Sequence, residues 1–357
     1  IGSCTNSSYQ DLMCVAESLK GRTVHPDVEL GIAPGSRQVL GMLAANGALQ
    51  SLVAAGARIL ESGCGPCIGQ GFSPAEGTVS LRTFNRNFAG RSGTQGDHVF
   101  LVSPETAIAA ALTGTITDPR TLDMPHPDIT MPATFTVDDN MITAPLAEAV
   151  AMKVEIVRSS TIVKPPSGDV LPATIAGRAV IKVGDKITTD HIMPAGALLK
   201  FRSNVPEYAK HVFASFNLPG EPSFADRCLA LRDAGQAGVI VAGDSYGQGS
   251  SREHAALCPM YLGVRVVIAK TMERIHQANL VNFAILPLTF ESPADYDAID
   301  EGDELVVEGV EELVASGDRA TVRNLTQGTT LTCRVSLAPR QREILAAGGL
   351  LRHTRQD

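Results

Sequence analysis

Over the first hundred residues, apolar positions switch between helical and strand-like spacing. From Tyr9 to Lys20, Leu12, Met13, Val15, Ala16 and Leu19 fall on one helical stripe, and Gly21 supplies the stop. Ser7 and Gln10 have capping-box spacing at the start of that helix. Val28 to Ala33 reads as a buried strand, Arg37 to Ala45 and Ala48 to Ala55 as helices, and Ala57 to Leu60 as a strand. Val79 to Phe84 and His98 to Val102 add strands, and Ser103-Pro104-Glu105 opens a further helix with Pro at its first position. Such alternation predicts a parallel sheet covered by helices, with a ligand crevice outside the strand ends.

From Thr113 to about Pro172 the periodicity dissolves into a Pro-punctuated connector ending in Lys164-Pro165-Pro166-Ser167-Gly168. Beyond it, strands are expected at Arg178 to Val183, Gly238 to Ala242, Val264 to Ala269 and Ala284 to Leu288. Helices are expected near Ser223 to Asp233, Arg252 to Leu262 and Met272 to Leu280. Late β segments (Glu304 to Val307, Arg319 to Asn324, Thr330 to Val335) and a final helix from about Arg340 complete this part. The pattern divides the chain into an α/β domain over 1–125, a linker over 126–172 and a second α/β domain over 173–357.

Composition narrows the function. The chain has 357 residues, 44% of them hydrophobic, enough for a large core in two domains. A net charge of -8 argues against an extended nucleic-acid surface, so an anionic ligand needs cations supplied locally. No apolar run reaches the 18 or so residues of a membrane span. Seven cysteines, an odd number in a chain this large, point to a reducing compartment, and a cytoplasmic location is expected. The chain opens at Ile1 with no Met and resembles a fragment of something longer.

Three constellations could carry chemistry. Cys64-Gly65-Pro66-Cys67 lies just past a predicted strand, and Cys4 lies in a loop expected at the same sheet edge. A lone CxxC is compatible with a redox pair, half a zinc site or a buried accident, whereas three thiolates from two neighbouring loops would suit an iron-sulfur cluster with one open iron. Cys14, Cys228, Cys258 and Cys333 read as small hydrophobes. Asn85-Arg86-Asn87-Phe88-Ala89-Gly90-Arg91 reads first as a solvated surface segment; its place after a strand makes the arginines candidates for carboxylate capture. Gly243 to His254 is a glycine-rich turn between a strand and a helix, without the Gly-Lys-Ser/Thr ending of a phosphate loop. There Ser250 and Glu253 have capping-box spacing, and a serine beside Arg252 and a helix dipole is also a candidate general base.

Taken in order, Gly2-Ser3-Cys4-Thr5-Asn6-Ser7, Cys64-Gly65-Pro66-Cys67-Ile68-Gly69, Asn85-Arg86-Asn87-Phe88 with Gly90-Arg91, Thr189-Asp190-His191, Lys200-Phe201-Arg202 and Gly247 to Ala255 resemble the aconitase superfamily nearly end to end. The resemblance implies a three-layer, parallel-sheet cluster-binding domain followed by a smaller α/β swivel domain. It implies that Cys4, Cys64 and Cys67 bind a [4Fe-4S] cluster whose fourth iron takes the substrate hydroxyl and a carboxylate. Asn85, Arg86 and Arg91 match positions lining the substrate site, Arg202, Ser251 and Arg252 match carboxylate binders, and Asp190, with His191 beside it, matches an active-site acid. Ser250 matches the serine that removes the carbon-bound proton. The implied activity is a hydro-lyase isomerising citrate and isocitrate through cis-aconitate, with a small di- or tricarboxylate as partner and a monomeric state.

Members of this superfamily carry roughly another half-chain ahead of the first cluster cysteine. A protein that begins at Ile1 is therefore expected not to turn over, and its missing N-terminal domains are expected partners. A homoaconitase or an isopropylmalate dehydratase-like enzyme is the alternative within the superfamily, and Lys200-Phe201-Arg202 leans toward aconitase. Outside it stand an iron-responsive RNA binder, disfavoured by the charge balance, and a non-catalytic three-thiol metal module.

Overall fold

In the computed structural model the described residues are 1–355 apart from 86, 88, 89, 250 and 251. The chain divides into two compact units, 1–154 and 155–357. No helix among the described residues is long and apolar enough to cross a membrane.

The first unit contains α1 (Tyr9–Leu19), β1 (Gly31–Ile32), α2 (Arg37–Ala45), α3 (Ala48–Ala54), β2 (Arg58–Ile59), β3 (Val79–Arg82), β4 (His98–Leu101), α4 (Pro104–Thr113) and a short α5 (Glu148–Ala151). Leu12, Val15, Ala16 and Leu19 of α1 pack with Ile32, Leu43, Leu52, Ile108 and Ala111, so the predicted stripe is the buried one. The cap differs from expectation: Ser8 and Asp11, not Ser7 and Gln10, make the reciprocal capping box. Ser7 instead donates its hydroxyl to Ser3 O at 2.7 Å, and so braces the preceding loop. The strands are parallel but pair only as β1 with β2 and β3 with β4, two separate two-stranded sheets among the described residues rather than the one sheet of a three-layer domain. After α4 the chain is largely irregular and exposed, with Val137 and Met141 open to solvent.

The second unit spans residues 155–357. It contains β5 (Ile175–Val183), α6 (Thr189–Ile192), α7 (Val205–Ala209), α8 (Phe224–Asp233), β6 (Ala237–Ala242), α9 (His254–Leu262), β7 (Val264–Ala269), α10 (Arg274–Asn282), β8 (Leu286–Phe290), β9 (Glu304–Val307), α11 (Val310–Ala315), β10 (Arg319–Asn324), β11 (Thr329–Arg334), α12 (Pro339–Ala346) and α13 (Leu350–His353). Its seven strands close into a barrel in the order β10-β11-β8-β7-β6-β5-β9. β5 to β8 are parallel neighbours, and β9, β10 and β11 close the ring antiparallel.

The parallel strands are apolar without a break because both faces are covered. On β6, Val239 and Val241 face one core while Ile240 and Ala242 face another, the latter shared with α7, α8 and α9. β10 and β11 have one wet face, so Ala320, Val322, Leu331 and Cys333 point inward while Arg319, Thr321, Arg323 and Arg334 point out. Period-two alternation made these strands legible; closure into a barrel depends on β11 meeting β8, a pairing across some forty residues that periodicity does not encode.

Candidate functional site

The first constellation forms where three segments of the first unit meet. Residues 1–3 lie beside β1: Ser3 N donates to Ala33 O at 2.8 Å and Ala33 N to Ile1 O at 2.9 Å. The Ser3 hydroxyl crosses to Gly63 O at 3.2 Å, tying the Cys4 loop to the Cys64 loop. Thr83, just past β3, joins them by accepting from Gly2 N at its hydroxyl (2.9 Å) and from Asn6 Nδ2 at its carbonyl (2.9 Å). These bonds put Cys4, Cys64 and Cys67 at one end of the paired strands, the first two exposed and Cys67 buried in a single 3-10 turn, Pro66–Ile68. Gly69 ends that turn at φ +78, and a Cβ there would come within 2.1 Å of Ser92 O, so the turn requires glycine.

Charge reaches the thiols from the segment after β3. Arg91 Nη2 lies 3.7 Å from Cys67 Sγ. Burial is the main influence raising the Cys64 thiol above its ordinary pKa, Cys67 and Cys4 add to it, and Arg91 opposes them. The three sulfurs are not all within 4.8 Å of one another. Ser62 Oγ and Ser92 Oγ are buried with no hydrogen-bond partner among the described residues. A cavity of about 770 Å³ lined by Leu30, Gly31, Phe72, Leu81, Arg82 and Phe84 adjoins Pro66 but contains none of the thiols.

One pair behind this site was not read from the sequence. Arg82 Nη2 meets Asp97 Oδ2 at 3.4 Å with side chains 4% and 0% exposed, and Asp97 Oδ1 accepts from Gly90 N at 3.1 Å, next to Arg91. The available signal was a charged residue at an inward position between Leu81 and Phe84. Asn85 lies exposed after Thr83, and Arg86 is outside the described residues.

The second constellation lies in the second unit. The glycine-rich loop after β6 is zipped to the segment before α6: Gly247 N donates to Ile187 O at 2.8 Å and Thr189 N to Gln248 O at 2.8 Å. Gly247 has φ +81, and a Cβ there would reach His276 Cγ at 2.2 Å. This pairing brings Asp190 to Arg252, Oδ1 to Nη1 at 2.6 Å, and the same nitrogen donates to Met193 O at 3.2 Å. Arg202 is anchored through its carbonyl, 2.8 Å from His254 Nε2 at the start of α9, and its side chain is exposed. The His191 ring is occupied locally: Thr188 N donates to its Nδ1 at 3.1 Å in the cap of α6. Ser250 and Ser251 are outside the described residues, and with Ser250 goes the expected Ser250–Glu253 box; Glu253 itself caps α9 without a side-chain bond. Behind the loop, Tyr246 and His276 are buried with ring centroids 5.1 Å apart, and neither His276 nitrogen has a partner among the described residues. Burial lowers His276 from 6.5 to about 4.

A thiol-rich loop cluster on parallel strand ends, and a glycine loop presenting a paired arginine beside a mixed barrel, are the two candidate sites of an α/β protein. Comparison with known proteins agrees. Residues 1–114 match the aconitase family (aconitate hydratase), and residues 198–293 match the aconitase C-terminal domain. The mitochondrial aconitate hydratase of Gracilaria gracilis is 33% identical over 95% of this chain and 47% of its own length. That of Saccharomyces cerevisiae is 32% identical over 90% of this chain and 46% of its own. The 3-isopropylmalate dehydratase of Methanocaldococcus jannaschii aligns at TM-score 0.40 and 30% identity over 51% of this chain and 94% of its own. The chain belongs to the aconitase family, and it spans about half the length of the curated relatives it matches. The expected cytoplasmic location does not stand, because these relatives are named mitochondrial. A reducing compartment alone could not separate the two.

Proposed function

We propose that this chain carries the cluster anchor and part of the substrate site of an aconitate hydratase-type hydro-lyase, isomerising citrate and isocitrate through cis-aconitate in the mitochondrion. Its foundation is the gathering of Cys4, Cys64 and Cys67 from two cross-bonded loops. Those thiols would hold a [4Fe-4S] cluster, and the donor set fits it: three sulfurs with an adjacent guanidinium. When bound, the cluster supplies a Lewis-acidic iron for the substrate hydroxyl and a carboxylate.

The chain's own residues have the remaining tasks. Removing a weakly acidic carbon-bound proton needs a base, and Ser250 is assigned that role at a loop whose neighbours Gly249 and Arg252 lead into the N-terminus of α9. Charge then develops on the substrate carboxylate, which Arg252 can meet with charge-assisted N–H bonds. Asp190, together with Met193 O, orients that guanidinium. Arg91, Asn85, Arg86, Arg202 and Ser251 complete the carboxylate binders, and Asp190 with His191 is the assigned acid group. The finer architecture belongs to the same proposal: a three-layer cluster domain over 1–125, a linker over 126–172 and a swivel domain over 173–357, with the remaining domains of a complete monomeric protein as partners.

Turnover of citrate, homocitrate and isopropylmalate by the complete protein tests this. Citrate is expected to be preferred, and Ser250→Ala to lower kcat by about 10²- to 10⁴-fold. Preference for isopropylmalate, or an unaffected Ser250→Ala enzyme, would overturn it.

A further inference from the structure

Taken alone, Cys14 is a small residue on the buried face of α1. Its sulfur, however, lies 3.7 Å from His126 Nε2, and the same nitrogen lies 3.6 Å from Glu105 Oε1. All three donor atoms are within 4.8 Å of one another. They come from the middle of α1, the first turn of α4 and the irregular segment after α4, so no spacing in the sequence announces the group.

Two readings compete. A Cys-His-Glu relay needs the thiol on one ring nitrogen and the carboxylate on the other. Here a single nitrogen faces both, which is the arrangement of ligands around a shared centre. Burial first, then Glu105, also raises the Cys14 thiol against the effect of the Ser18 hydroxyl, the opposite of an activated nucleophile. Ion geometry fits better. With zinc bonds of about 2.3 Å to sulfur and 2.0–2.2 Å to nitrogen and oxygen, tetrahedral ligands lie about 3.6 Å (S to N) and about 3.4 Å (N to O) apart. The sulfur-to-nitrogen and nitrogen-to-oxygen separations lie within about 0.2 Å of these values.

Outer partners support the ligands as well. The Ser18 hydroxyl bonds Cys14. Burial pushes the Glu105 carboxyl up, but the Ser103 hydroxyl, its own backbone N–H and His126 together hold it below its usual range.

We propose that Cys14, Glu105 and His126 form a second metal site, separate from the cluster thiols, for one Zn²⁺ ion with a fourth position left to water. On binding, Cys14 gives its thiol proton to solvent as the sulfur-metal bond forms, and no electron is transferred. The ion clasps the segment after α4, whose Met124 already packs on the core, to α1 and α4.

The test uses Co²⁺ as a coloured probe in the chain carrying Cys4→Ser, Cys64→Ser and Cys67→Ser, so that the cluster thiols cannot compete. One equivalent is expected to bind with a thiolate-to-cobalt charge-transfer band that Zn²⁺ displaces. Cys14→Ser should abolish the band, and His126→Ala, at an exposed residue, should weaken binding about ten-fold or more. No band, or an unchanged affinity in His126→Ala, overturns the site. Should the triple variant not fold, bound zinc in the parent chain is expected to fall by one equivalent on His126→Ala, and an unchanged stoichiometry overturns the site equally.

Discussion

Behind the thiol loops stands a buried charge pair, Arg82 with Asp97, while behind the arginine loop stands a buried neutral ring, His276 against Tyr246. The charges visible at each place are the reverse. The thiol loops carry the cysteines and Arg91, whereas Arg252 and Asp190 present a partly exposed ion pair. Hydrogen bonds hold both loops in place, but a buried ion pair backs the first and an apolar ring pair backs the second. The contrast teaches that the conspicuous charges of this chain need not be the ones that hold it together.

The largest expected effect comes from removing one member of the hidden pair. Asp97→Ala leaves the Arg82 guanidinium buried without its carboxylate and frees Gly90 N, which should cost about 3–5 kcal/mol in urea unfolding of the first unit. Replacing both with apolar residues, Arg82→Met with Asp97→Leu, should be far milder. Equal losses in the single and double variants would break the contrast.

In the second unit, acid should act through His276. His276 is held at about 4 by burial, so the folded form stays neutral while the unfolded chain takes up a proton below 6.5. Stability is therefore full above pH 6.5 and falls as pH drops from 6.5 to about 4, by about 3 kcal/mol in total at 1.36 kcal/mol per pH unit. Urea midpoints of His276→Leu should lose that slope. If they keep it, another group is responsible.

The smallest effect should follow Asp190→Asn. Its partner is 14% exposed and it is itself 39% exposed, so solvent screens the pair and its loss should cost about 1 kcal/mol, shrinking further in salt. A loss of the size expected for Asp97→Ala would show that Asp190 is a structural anchor.

Local pattern made much of this molecule legible. The α1 stripe, the helix Arg37–Ala45, the strands Val264–Ala269, Glu304–Val307 and Arg319–Asn324, and the loops carrying the cysteines all follow from spacing and turn residues. Non-local features did not. The choice of Ser8 over Ser7 as cap depended on Ser7 being drawn back to Ser3 O, and barrel closure on the meeting of β11 with β8. The Arg82–Asp97 pair and the Cys14–Glu105–His126 group join residues that no helical or strand period relates. Motif order was what tied the cysteines to arginines and a serine far along the chain.

Anaerobic iron-sulfide reconstitution of this chain, read by iron and sulfide content and by electron paramagnetic resonance after mild oxidation, tests the central claim most directly. The account predicts a cluster signal in the parent chain and in Cys228→Ser, and its loss in each of Cys4→Ser, Cys64→Ser and Cys67→Ser. A full signal in any one of those three variants, or zinc in place of iron in the parent, would contradict it.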